Sequence, residues 1–189
     1  IADAVYAQRD FATRLFDRLR ADGLDEPGVS RDPYGAGEQR AHATMAAAAT
    51  DMGLEISRDA AANLYMTMPG TDRSAPKIVM GSHLDSVPHG GNFDGAAGVV
   101  AGLVATAAMQ QLGIRPACDL TTMGIRAEES IWFQVSYIGS RGALGMLPDG
   151  ALDVRRIDTG RTLADHIAEC GGDPAALTAR NRSIDPATV

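Results

Sequence analysis

Several things are scarce in this sequence, and each scarcity excludes something. Only two of the 189 residues are cysteine, Cys118 and Cys170, far apart in the chain. They cannot make a disulfide framework or a CxxC metal site, and such usage fits a reducing compartment, the cytoplasm being the expected one. Positive charge is short as well, with 17 Lys plus Arg against 24 Asp plus Glu and a net charge of -7. Phosphate binding needs clustered cations, so neither nucleic acid nor an anionic membrane surface is an expected partner, and a small molecule is. Long apolar runs are missing too. The longest, Gly95 to Met109, is rich in Gly and Ala and falls short of the roughly 20 residues of a membrane span. It reads as a packed core helix.

What is present suits a globular domain: 45% hydrophobic and 22% charged residues, in a length that accommodates one core at the usual ~100–200 residues per domain. Val5, Phe11, Leu15, Phe16 and Leu19 recur at helical spacing up to the turn signal Asp22-Gly23. A loop around Pro33-Tyr34-Gly35 leads into an alanine-rich helix, Glu38 to Met52, closed by Gly53. Leu54–Ser57 and Asn63–Met68 form a hairpin-like pair of strands, and Lys77–His83 is a short buried-type strand. A helix from Asp94 to Leu112 and a strand from Cys118 to Ala127 complete a β-loop-α-loop-β unit, which predicts a parallel pair inside a mixed sheet. Short helices are expected over Ser140–Met146, Arg161–Cys170 and Asp173–Arg180, the last capped by Asp173 with Pro174 in its first turn.

Chemistry concentrates in residues 81–98, GSHLDSVPHGGNFDGAAG. Positions two apart share a face at a strand end, so His83 and Asp85 point the same way from the carboxyl edge of the sheet, where open α/β sheets place ligands. His83 offers a ring nitrogen to a metal, and Asp85 can accept a hydrogen bond behind it and set the tautomer. Asp94 has two readings, a helix N-cap or a carboxylate bridging two cations. Arg126-Ala127-Glu128-Glu129-Ser130 ends the next parallel strand at the same edge. Neighbouring residues diverge there, which lets one glutamate bind metal while the other acts as a base. Such an O/N set suits Zn²⁺, with Mn²⁺ or Co²⁺ as reasonable substitutes.

These residues carry a resemblance. GSHLDSVPHGGNFDGAAGV together with the AEES and GSRGALG segments resembles the M20 metallopeptidase/amidohydrolase family, and within it the hydantoinase/carbamoylase branch of N-carbamoyl-L-amino-acid hydrolases and allantoate amidohydrolases. The resemblance implies an α/β, three-layer aminopeptidase-like catalytic domain with a mixed, partly parallel sheet flanked by helices. It implies two divalent ions per complete site, Zn²⁺ foremost, with His83 on one metal, Asp94 as the bridge and Glu129 on the other. The same matching makes Glu128 the general base and sets Asp85 behind His83 in the catalytic set. The implied reaction is hydrolysis of a linear C–N amide or ureido bond other than a peptide bond, by a water shared between metals about 3.5–4 Å apart. A homodimer of the complete protein is also implied.

This chain departs from the family in several places. Two further metal histidines and the inserted dimerisation or lid domain are expected from the family and have no counterpart in residues 1–189. Those residues therefore read as the N-terminal portion of the catalytic domain, with the missing ligands supplied by more sequence or by a second chain. Ser130 replaces a more usual Gly, and Trp132-Phe133 a more usual Arg-Phe, where the pair either lines an apolar pocket or packs ordinarily. His89, in the Pro88–Gly91 loop, is left as an outer or solvent-facing group, and His42 and His166 are expected to be structural. Two other readings stand beside the first: an aminopeptidase or dipeptidase of the same superfamily, and a non-catalytic remnant that binds a metabolite or partner.

Overall fold

The amino-terminal apolar spacing becomes two helices, α1 (Ala2–Tyr6) and α2 (Arg9–Gly23). The computed structural model describes residues 1–186. A short two-stranded ribbon follows, β1 (Leu24–Asp25) and β2 (Gly28–Val29). Helix α3 (Ala36–Asp51) starts two residues earlier than the alanine run suggests, which places Glu38 inside its first turn.

The central sheet has four strands: β3 (Glu55–Arg58), β4 (Leu64–Met68), β5 (Ile78–His83) and β6 (Leu120–Ile125). Their order is β3-β4-β6-β5, with β3 and β4 antiparallel, β4 and β6 antiparallel, and β5 and β6 parallel. The expected hairpin and the expected parallel pair in a mixed sheet are both present. Helix α4 (Ala96–Gln111) makes the crossover and packs on β5 and β6. The crossover brings the carboxyl ends of β5 and β6 side by side, with His83 in register with Ile125.

Alternation along the strands divides the sheet faces. Leu64 and Met66 join Leu15, Leu19, Met45, Val99 and Leu103 from α2, α3 and α4 in the main core. Tyr65 and Met123 face the other way, toward Ala143 and Ile184. Two glycines permit close approaches: Gly102 lets α4 lie against Thr122 of β6, and Gly81, at φ 151°, lies against the Met123 carbonyl, where a side chain has no room.

Beyond the sheet come α5 (Ile138–Ala143), a 3₁₀ turn at Ala151–Asp153, α6 (Leu163–Glu169) and α7 (Pro174–Thr178). Helix α6 begins at Leu163 because Thr162 and Asp165 form a reciprocal capping box. Asp173 caps α7 as expected, accepting from Ala175 and Ala176 N–H. These helices build a second core around Phe133, Ile138, Leu163 and Ile167. Among the described residues no helix is long and apolar enough to cross a membrane.

Candidate metal centre

The site is built where β5 and β6 end. His83, Asp94 and Glu129 each present one ligand atom, and these atoms lie within 4.8 Å of one another. His83 Nε2 is 4.0 Å from Asp94 Oδ1. The three candidates named from the sequence thus converge from a strand end, the loop before α4 and the loop after β6.

Asp94 is not a helix cap. The N-cap of α4 is Gly95 at φ 65°, no side chain caps the helix, and Asp94 only lends its carbonyl oxygen to Ala96 N–H. Its carboxylate, 56% exposed, is therefore free to face His83.

Asp85 ties the two loops together. Fully buried, it lies 3.3 Å from His83 Nδ1 through Oδ1, and His83 Nδ1 also lies 3.1 Å from its backbone oxygen. Its two carboxylate oxygens accept the backbone N–H groups of Glu128 (3.1 Å) and Glu129 (2.9 Å). Engaging Nδ1 leaves Nε2 as the free nitrogen of His83, the usual way a carboxylate orients a histidine ligand. Burial disfavours the charged imidazole, but the Asp85 side chain and backbone oxygen together with Asp94 outweigh it and raise the His83 pKa to about 9.

Glu128 diverges from Glu129 as adjacent residues at a strand end should. Ser140 in α5 donates to both its carboxylate oxygens, backbone N–H to Oε1 at 3.0 Å and hydroxyl to Oε2 at 2.9 Å. Burial raises its pKa, with Ser140 pulling the other way and Asp85 adding to the rise. The Glu129 carboxylate has no hydrogen-bond partner among the described residues, and it faces His83 and Asp94. One nitrogen, oriented from behind by Asp85, and two carboxylates fit Zn²⁺, Mn²⁺ or Co²⁺, and as three donors they are too few for two ions.

Arg31, Glu38, Asn63 and Ser140 were not singled out from the sequence. Arg31, 1% exposed, donates to the carbonyls of Leu84, Asn92 and Asp94 and so staples the loop that carries Asp94. Glu38 and Asn63 hold the loop that carries the glutamates. A signal existed for Glu38, which shares a helical face with His42, Met45 and Ala49. Arg31 had none, since its partners lie more than fifty residues away.

The remaining histidines stay outside the cluster. His89 Nδ1 lies 3.0 Å from the Asp25 carbonyl at the surface. His42 is buried under the sheet, and His166 Nε2 pairs with Thr159 Oγ1 at 3.0 Å. Phe133 is fully buried in the second core and Trp132 lies beneath the Arg156 guanidinium, so both serve ordinary packing.

The sheet order and the cluster at its carboxyl edge define the class: an α/β domain with a candidate divalent-metal centre on a parallel strand pair. Comparison with known proteins narrows it. The sequence profile of peptidase family M28 matches residues 63–150. The N-carbamoyl-L-amino acid amidohydrolase of Geobacillus stearothermophilus is 37% identical over 180 residues, covering 93% of this chain and 43% of that one. The allantoate amidohydrolase of Bacillus subtilis is 30% identical over 144 residues, 76% of this chain and 35% of that one. The crystal structure of a hydantoinase/carbamoylase family amidase from Burkholderia ambifaria superimposes with a TM-score of 0.77 at 32% identity, covering 86% of this chain and 41% of the other. By sequence and by fold the chain belongs to the hydantoinase/carbamoylase family. It spans less than half the length of these relatives.

Proposed function

We propose that this chain is the metal-binding portion of an amidohydrolase that cleaves a linear C–N bond, other than a peptide bond, in a small ureido substrate such as an N-carbamoyl amino acid or an allantoate-like compound. The observation that carries the reading is the convergence of His83, Asp94 and Glu129 with Asp85 behind them. Relatives that match most of this chain bear names of that chemistry.

His83, Asp94 and Glu129 would hold divalent metal, with Zn²⁺ foremost, Asp94 between two ions, and the remaining ligands coming from elsewhere in the complete protein or from a second chain. When bound, the metal supplies Lewis-acid polarisation of the scissile carbonyl and a more acidic water. Glu128 takes the proton from the attacking water and returns it to the leaving nitrogen, and its raised pKa suits that exchange. Ser140 aims the Glu128 carboxylate, while Asp85 holds His83 and both glutamates in place. Cys118 and Cys170 as free thiols support a cytoplasmic setting.

The profile match to a peptidase family favours one alternative, an aminopeptidase-type activity at the same centre. The test is the complete protein, loaded with Zn²⁺, Mn²⁺ or Co²⁺, offered N-carbamoyl-L-amino acids, allantoate and dipeptides. Metal-dependent release of ammonia from the ureido compounds is expected. Cleavage of dipeptides alone would transfer the reading to the peptidase. A metal-loaded protein inert toward all of them would make it a binding remnant.

A further inference from the structure

The four successive N–H groups from Arg126 to Glu129 donate to side-chain oxygens from three distant places. Arg126 N–H goes to Asn63 Oδ1 at 2.9 Å, Ala127 N–H to Glu38 Oε1 at 2.8 Å, and those of Glu128 and Glu129 to Asp85. The carbonyls of Arg126, Ala127 and Glu128 accept from Gly139, Ile138 and Tyr137. Side chains, more than strand pairing, therefore determine the shape of this loop. Ala127 at its centre is fully buried and left-handed at φ 52°, a conformation a non-glycine residue keeps only when its surroundings impose it.

Glu38 holds the residue at the centre of this loop. Fully buried in the first turn of α3, it accepts Ala127 N–H through Oε1, and Tyr34 N–H (2.7 Å) and Arg126 Nη1 (2.9 Å) through Oε2. Arg126 is pinned in turn by the Ala62 carbonyl and Gln39. Glu38 touches neither Glu128 nor Glu129, yet both leave the chain immediately after the residue it holds.

We infer that Glu38 is a positioning residue which, through the backbone of Ala127, sets where Glu129 meets the metal and where Glu128 meets Ser140. The inference rests on the reading of Glu129 as a ligand. In Glu38→Gln the amide oxygen stays with the two donors, Tyr34 N–H and Arg126, so the amide NH₂ faces Ala127 N–H. Two donors then oppose each other, and the loop shifts.

The experiment uses the complete protein and Co²⁺, whose visible spectrum reports ligand geometry, with four forms: parent, Glu38→Gln, Glu129→Gln and the double variant. Glu38→Gln should weaken Co²⁺ binding by about 10-fold or more, within the range for residues that orient metal ligands, and should change the spectrum. The double variant should bind no worse than Glu129→Gln alone, because a displaced ligand that is already lost adds nothing. Multiplying effects in the double variant, or parent-like binding and spectrum in a folded Glu38→Gln, would overturn the inference. Parent-like binding by Glu129→Gln would instead overturn the ligand reading beneath it. Should Glu38→Gln not fold, Glu38→Asp keeps a negative charge opposite Arg126 while withdrawing the oxygen from Ala127, and the same pattern is expected. Failure of both to fold would make Glu38 a stability residue and end the proposal.

Discussion

The backbone N–H of Glu129 donates to Asp85 Oδ2 at 2.9 Å across 44 residues of sequence, while the other oxygen of that carboxylate lies 3.3 Å from His83 Nδ1. One buried side chain thus holds a histidine from β5 and a glutamate from the loop after β6 in a single frame. The placing of these candidate ligands is a property of the frame, and perturbing it should be felt in divalent-metal binding.

Asp85→Asn tests the frame. An amide supplies one acceptor where the carboxylate supplies two, so a buried N–H of Glu128 or Glu129 meets a donor. Divalent-metal affinity should fall about 10- to 100-fold, and stability by roughly 1–3 kcal/mol for the unsatisfied group. Competition titration with a Zn²⁺ indicator and urea unfolding measure the two. Parent-like affinity would mean that His83 keeps its orientation unaided.

The two glutamates separate by chemistry. Glu128→Gln should retain its metal while turnover falls by roughly 10²-fold or more, the low end for a positioned general base. Glu129→Gln should lose metal first, with activity following, and excess metal should rescue it in part. Paired metal analysis and turnover on the complete protein decide; the opposite order would reverse the two roles.

Gly95→Ala attacks the site through the backbone. Gly95 sits at φ 65°, and a Cβ there would stand 2.5 Å from the His83 ring. The positive φ alone costs a non-glycine residue about 1–3 kcal/mol, and the collision pushes on a candidate ligand besides. A lowered melting temperature together with weakened Zn²⁺ binding is expected. Reduced stability with unchanged affinity would show that the imidazole can yield without losing its aim.

Acid should destabilise the fold through His42. The ring is 1% exposed, neither nitrogen has a well-formed hydrogen bond, and burial, reinforced by Arg126 and Arg58, lowers its pKa well below 6.5 although the Ile125 backbone gives slight support. Below about pH 6.5 the unfolded chain takes up a proton that buried His42 refuses, so the contribution of this one group is complete above that pH and falls as pH drops, by up to about 1.4 kcal/mol per unit. His166, also lowered by burial, contributes in the same direction. His42→Leu should flatten this limb over roughly pH 5–6.5 and raise stability at neutral pH. Urea unfolding across that range would refute the account if both proteins lost stability in parallel.

The hairpin of β3 and β4, the parallel pair of β5 and β6 and the crossover by α4 were legible in the sequence, because strand and helix periodicities are local and the crossover length dictates parallel pairing. The convergence of His83 and Glu129 could be expected from their places at neighbouring strand ends, whereas Asp94 joined them through the family resemblance. Local pattern could not decide whether Asp94 capped α4: that depended on Gly95 taking the cap position and releasing the carboxylate. Nor could it show Arg31, Glu38 and Asn63 beneath the site, or Ser140 behind Glu128, for each of them acts on a group distant in the chain. A ligand is recognisable by its own chemistry, whereas a residue that holds a ligand in place is defined by its partner, and only the folded chain brings the two together.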